Sequence, residues 1–358
     1  MPHLLLAVTA HGYGHLAQSS PVVEALARRL PGLRVTLQSD IDPRFARARL
    51  PPGFTQIREA TDTGCLMDGP LVTLWPETLA AYIRFEADYE QRLERQMATL
   101  RELAPDLVLA DVPWLPLEAA RRLGIPAVGL CSFSWYDILH ESPVGTQAPV
   151  ELLGHLQRVY READLFIRPA PAMPMDWLPS ARAVGPIARR RPNRAAELRE
   201  RFGCPADRPL ALMQFGGFDG LDPLRDWPQQ DQVHWLVQDL NGVQRPDVSG
   251  LRDNGLDIVE VLGSVDLILT KPGYGAYTEA ACNGVPVIHV TRPDWPETAT
   301  LNTWLGARVP TRELSLADLM AGRVADPIAE LLAAPRPAPV EPSGIEAAAD
   351  LLEPWLRA

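Results

Sequence analysis

Short apolar runs alternate along this chain with stretches whose apolar residues recur at helical spacing, the signature of β-α-β units and parallel sheets. His3–Thr9 reads as a buried strand, and Gln18–Leu30 as a helix with Val22, Val23, Leu26 and Leu30 on one face. Leu33–Gln38 and Phe54–Arg58 are predicted strands, and Glu77–Leu103 one long helix ended by Ala104-Pro105. Asp106–Ala110, Leu117–Leu123 and Pro126–Cys131 read as strand, helix and strand, followed by a strand at Ala163–Arg168 and a break at Val184-Gly185-Pro186-Ile187. A second series follows: a helix over Arg194–Phe202, then strands at Leu210–Phe215, Trp235–Gln238, Asp257–Glu260 and Val265–Leu269. Next come a helix over Tyr274–Asn283 with Gly284 as its C-cap and a strand at Val285–Val290. Helices are predicted at Gly322–Ala333 and Gly344–Arg357, with the proline-rich segment Pro335–Pro342 between them. The expected architecture is α/β: two doubly wound, Rossmann-like halves facing a cleft. The expected domains are 1–185, 186–338, and a linker plus helix at 339–358 that packs back on the first domain.

Composition narrows the class. A chain of 358 residues exceeds one small core, and no apolar run approaches the roughly 18–20 residues that span a bilayer. The N-terminus is short and uncharged for a signal peptide, and Cys65, Cys131, Cys204 and Cys282 lack metal-site or disulfide spacing; both features point to the cytoplasm. A formal charge of −11 argues against nucleic-acid binding. The densest basic cluster, Arg189-Arg190-Arg191, lies between Pro186 and Pro192 and reads as a solvated hinge.

The candidate chemistry lies in turns that follow strands, where open α/β sheets bind ligands. Lys271 is the only lysine among 34 basic residues, and it sits in Lys271-Pro272-Gly273-Tyr274-Gly275, between a strand and a helix. An ammonium there is a compact charge, and a helix start favours anions. Thr278 and Glu279 fall in the first turns of that helix, where a carboxylate can accept from a ribose diol. Phe215-Gly216-Gly217-Phe218 forms a second glycine turn able to approach a diphosphate. After the first strand, His11 and His15 flank Gly12-Tyr13-Gly14; either is a candidate general base, with Asp111 at a neighbouring strand end as the orienting partner. Asp294 and Glu297 follow another strand and are candidates for sugar hydroxyls; Glu297 otherwise merely opens the next helix. Asp40-Ile41-Asp42 has the spacing of a metal-binding pair but equally that of a turn, and no metal is expected. The dinucleotide and phosphate-loop glycine patterns are absent, which argues against a dehydrogenase or a kinase.

In combination these segments resemble the GT-B glycosyltransferases, and more narrowly the glycosyltransferase-like amino-terminal part of plant L-arabinokinase with its stand-alone bacterial relatives. The resemblance rests on Gly12-Tyr13-Gly14-His15, Asp106–Asp111, Ser132–Trp135, Asp164–Arg168, Phe215–Gly217, Lys271–Gly275, Glu279 and Arg292–Asp294. It implies a GT-B fold and transfer of a sugar from a nucleotide donor, with UDP the expected nucleotide, to a hydroxyl acceptor. It further implies a metal-independent, inverting reaction in which the nucleotide sugar is a substrate and no cofactor is needed. On this resemblance His15 matches the catalytic base and Asp111 its partner, while Gly216, Gly217 and Lys271–Glu279 meet the donor. The chain departs from the pattern at Leu16-Ala17-Gln18 after the histidine, and in a short, helix-poor segment from Gly220 to Gly255. Two rival readings use the same architecture: a nucleotide-sugar epimerase, and a nucleotide-sugar-binding module without turnover.

Overall fold

Every residue of strand β1 (His3–Val8) is buried, and alternate side chains enter two different cores. Leu5 and Ala7 join one core; Leu4, Leu6 and Val8 join the other, as the period of two requires in a sheet covered on both faces. The computed structural model describes residues 1–216 and 222–357. Strands β2 (Arg34–Gln38) and β3 (Thr55–Ile57) extend the sheet to one side of β1. A small antiparallel hairpin, β4 (Met67–Asp68) and β5 (Val72–Thr73), stands apart from it. On the other side of β1 lie β6 (Leu107–Asp111), β7 (Ala127–Leu130), β8 (Leu165–Pro169) and β9 (Ala181–Val184), giving the parallel order β3-β2-β1-β6-β7-β8-β9.

The second sheet repeats this plan. Strands β10 (Leu210–Gln214), β11 (His234–Val237), β12 (Val248–Gly250), β13 (Leu267–Thr270), β14 (Val287–Val290) and β15 (Thr311–Leu314) are all parallel, in the order β12-β11-β10-β13-β14-β15. Strand order reverses between β1 and β6 in one sheet and between β10 and β13 in the other. A crevice at the carboxyl ends opens at such switch points, and it is there that ligands bind in this class of sheet.

The first four helices of the chain are α1 (Tyr13–Arg29), α2 (Pro43–Arg47), α3 (Trp75–Ala87) and α4 (Tyr89–Leu103). The single helix expected over Glu77–Leu103 is two, broken at Asp88 (φ −105°, ψ 11°). Both halves keep a 3.6-residue period, so spacing gave no sign of the kink. What holds it is tertiary: the Tyr89 hydroxyl donates to Glu118 at 2.8 Å, and its ring meets His155 edge-on at 4.4 Å. The strand expected at Asp257–Glu260 is instead a helical turn over Ile258–Val261, with Glu260 accepting from the Asp257 backbone N–H at 2.8 Å. That reciprocal capping pattern competes with extension.

The carboxyl-terminal helix Gly344–Arg357 returns to the first sheet and packs on α1. Ala348, Ala349, Leu352 and Leu356 enter the same core as Val22, Val23 and Leu26, and Arg29 of α1 pairs with Asp350 at 2.6 Å and Glu353 at 3.2 Å. The two crossing segments touch where a Cβ on Gly344 would lie 2.0 Å from the Gly185 carbonyl oxygen, so glycine is required there. The arginine cluster is not a solvated hinge throughout. Arg189 is only 13% exposed and binds Glu24 of α1 at 2.7 Å, because the linker is pressed against the first domain. Among the described residues no helix is long and apolar enough to cross a membrane.

Candidate active site

Parallel pairing sets Val8 opposite Asp111, so the turn after β1 and the end of β6 are neighbours. Helix α1 begins at Tyr13 rather than at Gln18, with Gly12 as its extended N-cap, and this draws His15 into the first helical turn. There His15 Nδ1 lies 2.8 Å from Asp111 Oδ1. An ionised carboxylate only accepts, so Nδ1–H donates and the Nε2 lone pair is left to take a proton. Asp111 is completely buried and His15 is 8% exposed. Burial alone would lower the imidazole pKa, but Asp111, followed by Asp62 and Glu297, outweighs it, and His15 titrates above its ordinary value.

His11 has a different environment. Its ring stacks on Trp295 (5.6 Å, 10°) and meets Trp135 edge-on (5.5 Å, 88°), while Nδ1 lies 3.0 Å from the Cys65 carbonyl oxygen. Burial, then the charges of His15, Lys271 and Arg292, hold it well below its ordinary pKa. It is therefore a neutral part of an aromatic wall at neutral pH. Tyr13 stacks on Phe45 at 4.1 Å at the mouth of the same loop.

From the second sheet, Gln214 pairs with Thr270, so the turn that begins at Phe215 and the turn that begins at Lys271 leave neighbouring strand ends. Gly216 takes φ +78°, the left-handed region that favours glycine; Gly217 and Phe218 lie outside the described residues. Burial, then Arg292, lowers the Lys271 pKa to about 7. The helix Tyr274–Asn283 starts from an extended Gly273 with no side-chain cap, so no side chain of its own competes for the first-turn N–H groups. A Cβ on Gly275 would lie 4.0 Å from the Cα of Gly14, so this helix start and that of α1 face each other closely across the cleft. Glu279 is half-buried at the seam; burial raises its pKa and Arg49 and Arg189 oppose the rise.

Some sequence candidates are spent on structure. Thr278 is completely buried and donates back to the Tyr274 carbonyl at 2.9 Å, while the Tyr274 hydroxyl accepts from Ile187 N–H at 3.0 Å and so pins the linker. Pro272 is buried behind the turn. Asp294 accepts from Trp75 Nε1 at 3.2 Å, and Glu297 accepts from Ser132 Oγ at 2.6 Å; both partners belong to the first domain. These two carboxylates therefore bridge the domains in this structure instead of facing an open sugar site. Asp42 caps α2 by accepting from Arg44 N–H at 2.7 Å and Asp40 pairs with Arg58 at 2.7 Å, which accounts for the Asp-x-Asp spacing. Among the described residues the one group of metal-ligand composition is His15, Asp111 and Cys131, and burial keeps the Cys131 thiol protonated by pushing its pKa far up.

Sequence reasoning missed Asp62, Trp75, Trp135 and Trp295. Asp62 accepts from Thr9 Oγ1 at 3.0 Å and from Trp135 Nε1 at 2.7 Å, and burial pushes its carboxyl to about 6. It lies in the irregular segment between β3 and β4, where neither periodicity nor a turn motif marks it. The tryptophans look like ordinary core residues until the two domains are brought together.

No family model matches the chain. It is 23% identical over 331 residues to L-arabinokinase of Arabidopsis thaliana, a match covering 90% of this chain and 31% of that protein, so the chain spans about a third of that relative's length. Among solved structures it is similar to CalG4, the calicheamicin glycosyltransferase, with a TM-score of 0.62 at 20% identity, covering 100% of this chain and 98% of that one. It is similar as well to LpCGTa, solved in complex with UDP, with a TM-score of 0.59 at 17% identity, covering 99% and 94% of the two chains. With two parallel sheets of this order apposed at their switch points, the chain has the GT-B fold of the glycosyltransferases.

Proposed function

We propose that this protein transfers a sugar from a UDP-linked donor to a hydroxyl acceptor, with inversion at the anomeric carbon and without a metal. The observation that carries the reading is the His15–Asp111 pair, 2.8 Å apart at one switch point and opposite the uncapped helix start at the other. The acceptor hydroxyl gives its proton to His15 Nε2 as its oxygen bonds to the anomeric carbon. The bond from that carbon to the diphosphate breaks, and its electron pair leaves with the diphosphate. Asp111 balances the imidazolium, while Lys271 and the N–H groups at Gly273–Gly275 balance the departing charge. One displacement inverts the centre. The UDP seen with LpCGTa, a chain of similar fold, supports the nucleotide.

Thermal melting against nucleotides and nucleotide sugars tests the donor site. UDP at 100 times its Kd stabilises by about 2.7 kcal/mol, and Lys271→Ala abolishes that shift. No shift with any nucleotide in the wild type rejects the reading, and a donor altered during incubation without acceptor points to an epimerase.

Lys271 also predicts a linked proton. A group that titrates near pH 7 when buried regains its charge against a diphosphate, so UDP binding at pH 7.5 takes up protons. Calorimetry in two buffers of different ionisation enthalpy measures this, and identical heats in both buffers remove Lys271 from the diphosphate contact.

A further inference from the structure

Glu297 sits at the N-cap of the helix Thr298–Gly306, yet its side chain makes no bond to that helix. It crosses the cleft to Ser132, is only 2% exposed, and receives a further bond from Trp295 Nε1 at 3.4 Å. Burying a carboxylate away from its own helix start is unfavourable unless something on the far side receives it. What lies there is the surroundings of His15. Ser132 follows Cys131, whose Sγ is 3.9 Å from His15 Nδ1. Phe133 meets His15 edge-on at 5.5 Å and Trp295 edge-on at 6.0 Å, and His11 bridges Trp295 and His15 with ring distances of 5.6 and 6.5 Å.

We infer that Glu297 is a positioning residue for His15, delivered by the opposite domain, so that the base is fully assembled only when the two domains close. The inference rests on the transferase reading for its purpose, not for its physics. The groups facing His15 come from several elements: Asp111 from β6, Asp62 from the segment before β4, Cys131 from the end of β7, His11 from its own loop, and Glu297 from beyond β14. Asp111 and Asp62 share a domain with His15 and stay with it when the cleft opens. Glu297 does not. Opening the cleft therefore takes one of three negative charges away from the imidazole, so the set of charges around the base is complete only in the closed state. Proton abstraction is thereby tied to the state in which donor and acceptor sites are apposed.

The test follows the His15 imidazole by NMR titration of the full chain without substrate, in wild type, Glu297→Gln and Ser132→Ala. Glutamine keeps the size and the bond from Ser132 but loses the charge, so the His15 midpoint falls by roughly one pH unit, as removal of a nearby opposite charge requires. Ser132→Ala frees the carboxylate and lowers the midpoint less, which guards against a folding defect in the first variant. The acid limb of kcat/KM for transfer moves down with the midpoint. An unmoved midpoint in Glu297→Gln, with only a raised KM for the donor, overturns the inference and makes Glu297 a sugar-binding residue. A moved midpoint in a protein that transfers no sugar upholds the charge coupling and rejects the transferase instead.

Discussion

His15→Ala lowers kcat/KM for sugar transfer by about a hundred- to ten-thousand-fold, the range that a positioned general base contributes, while nucleotide binding persists. Binding persists because the donor contacts proposed for Lys271 and Gly273–Gly275 belong to the other domain. Asp111→Asn follows the same direction, since a neutral amide no longer fixes the Nδ1–H tautomer or balances the imidazolium. Initial-rate kinetics with a melting assay on the same samples separate the two effects. A fully active His15→Ala protein would remove the base from its role.

The pH dependence carries a sign. The folded His15 pKa is raised, so the pair with Asp111 contributes stability that is fully present below about pH 6.5, the unfolded value. That contribution is lost as pH rises through the higher folded value. The base works only when deprotonated, so the rate climbs over the same interval. Activity and this part of stability therefore run in opposite directions, and the acid limb of the rate profile lies above pH 6.5.

Trp295→Ala is expected to destabilise the closed chain by about 3–5 kcal/mol, the usual cost of truncating a buried aromatic to alanine. Trp295 belongs to the second domain but is 4% exposed within the core of the first, against Trp75 at 6.2 Å and under the Arg292 guanidinium at 4.4 Å. Leu71, in the β4–β5 hairpin of the first domain, is buried reciprocally among Met213 and Phe215 of the second. Arg292 ties the two anchors by donating to Thr73 Oγ1 at 3.3 Å. The loss therefore falls on the contact between halves, each of which keeps its own sheet. Denaturant unfolding followed by two probes should split from one transition into two, and the radius of gyration in solution should rise. A single transition at the wild-type midpoint would show that the clasp does not hold the cleft.

The apolar runs made the inner strands of both sheets legible, because strands buried on two faces leave a continuous signature and each is followed by its own turn. The edge strands β9, β12 and β15, only three or four residues long, leave none. Gly12-Tyr13-Gly14-His15 and Lys271–Gly275 could be read as chemistry for the same reason: they occupy strand ends. The turn at Asp257 was misread because a four-residue capping pattern and a short strand look alike without neighbours. Thr278, Asp294 and Glu297 were assigned to a ligand by position along the chain. Position along the chain does not say whether a hydroxyl bonds back to its own helix, as Thr278 does, or crosses to another domain, as Glu297 does.

By itself, then, the sequence determined the inner strands of the two parallel sheets and their glycine turns, and it marked His11, His15 and Asp111 as candidates at strand ends. Each is governed by local periodicity or by backbone freedom over a few residues. Only the tertiary structure decided that Asp62 and Glu297 join Asp111 around His15, and that Trp295 and Leu71 exchange cores. Those groups are far apart in the chain: Asp62 reaches His15 through the fold of the first domain, while Glu297, Trp295 and Leu71 take their places only where the two domains meet, and a charge acquires its effect from the burial and neighbours it finds there.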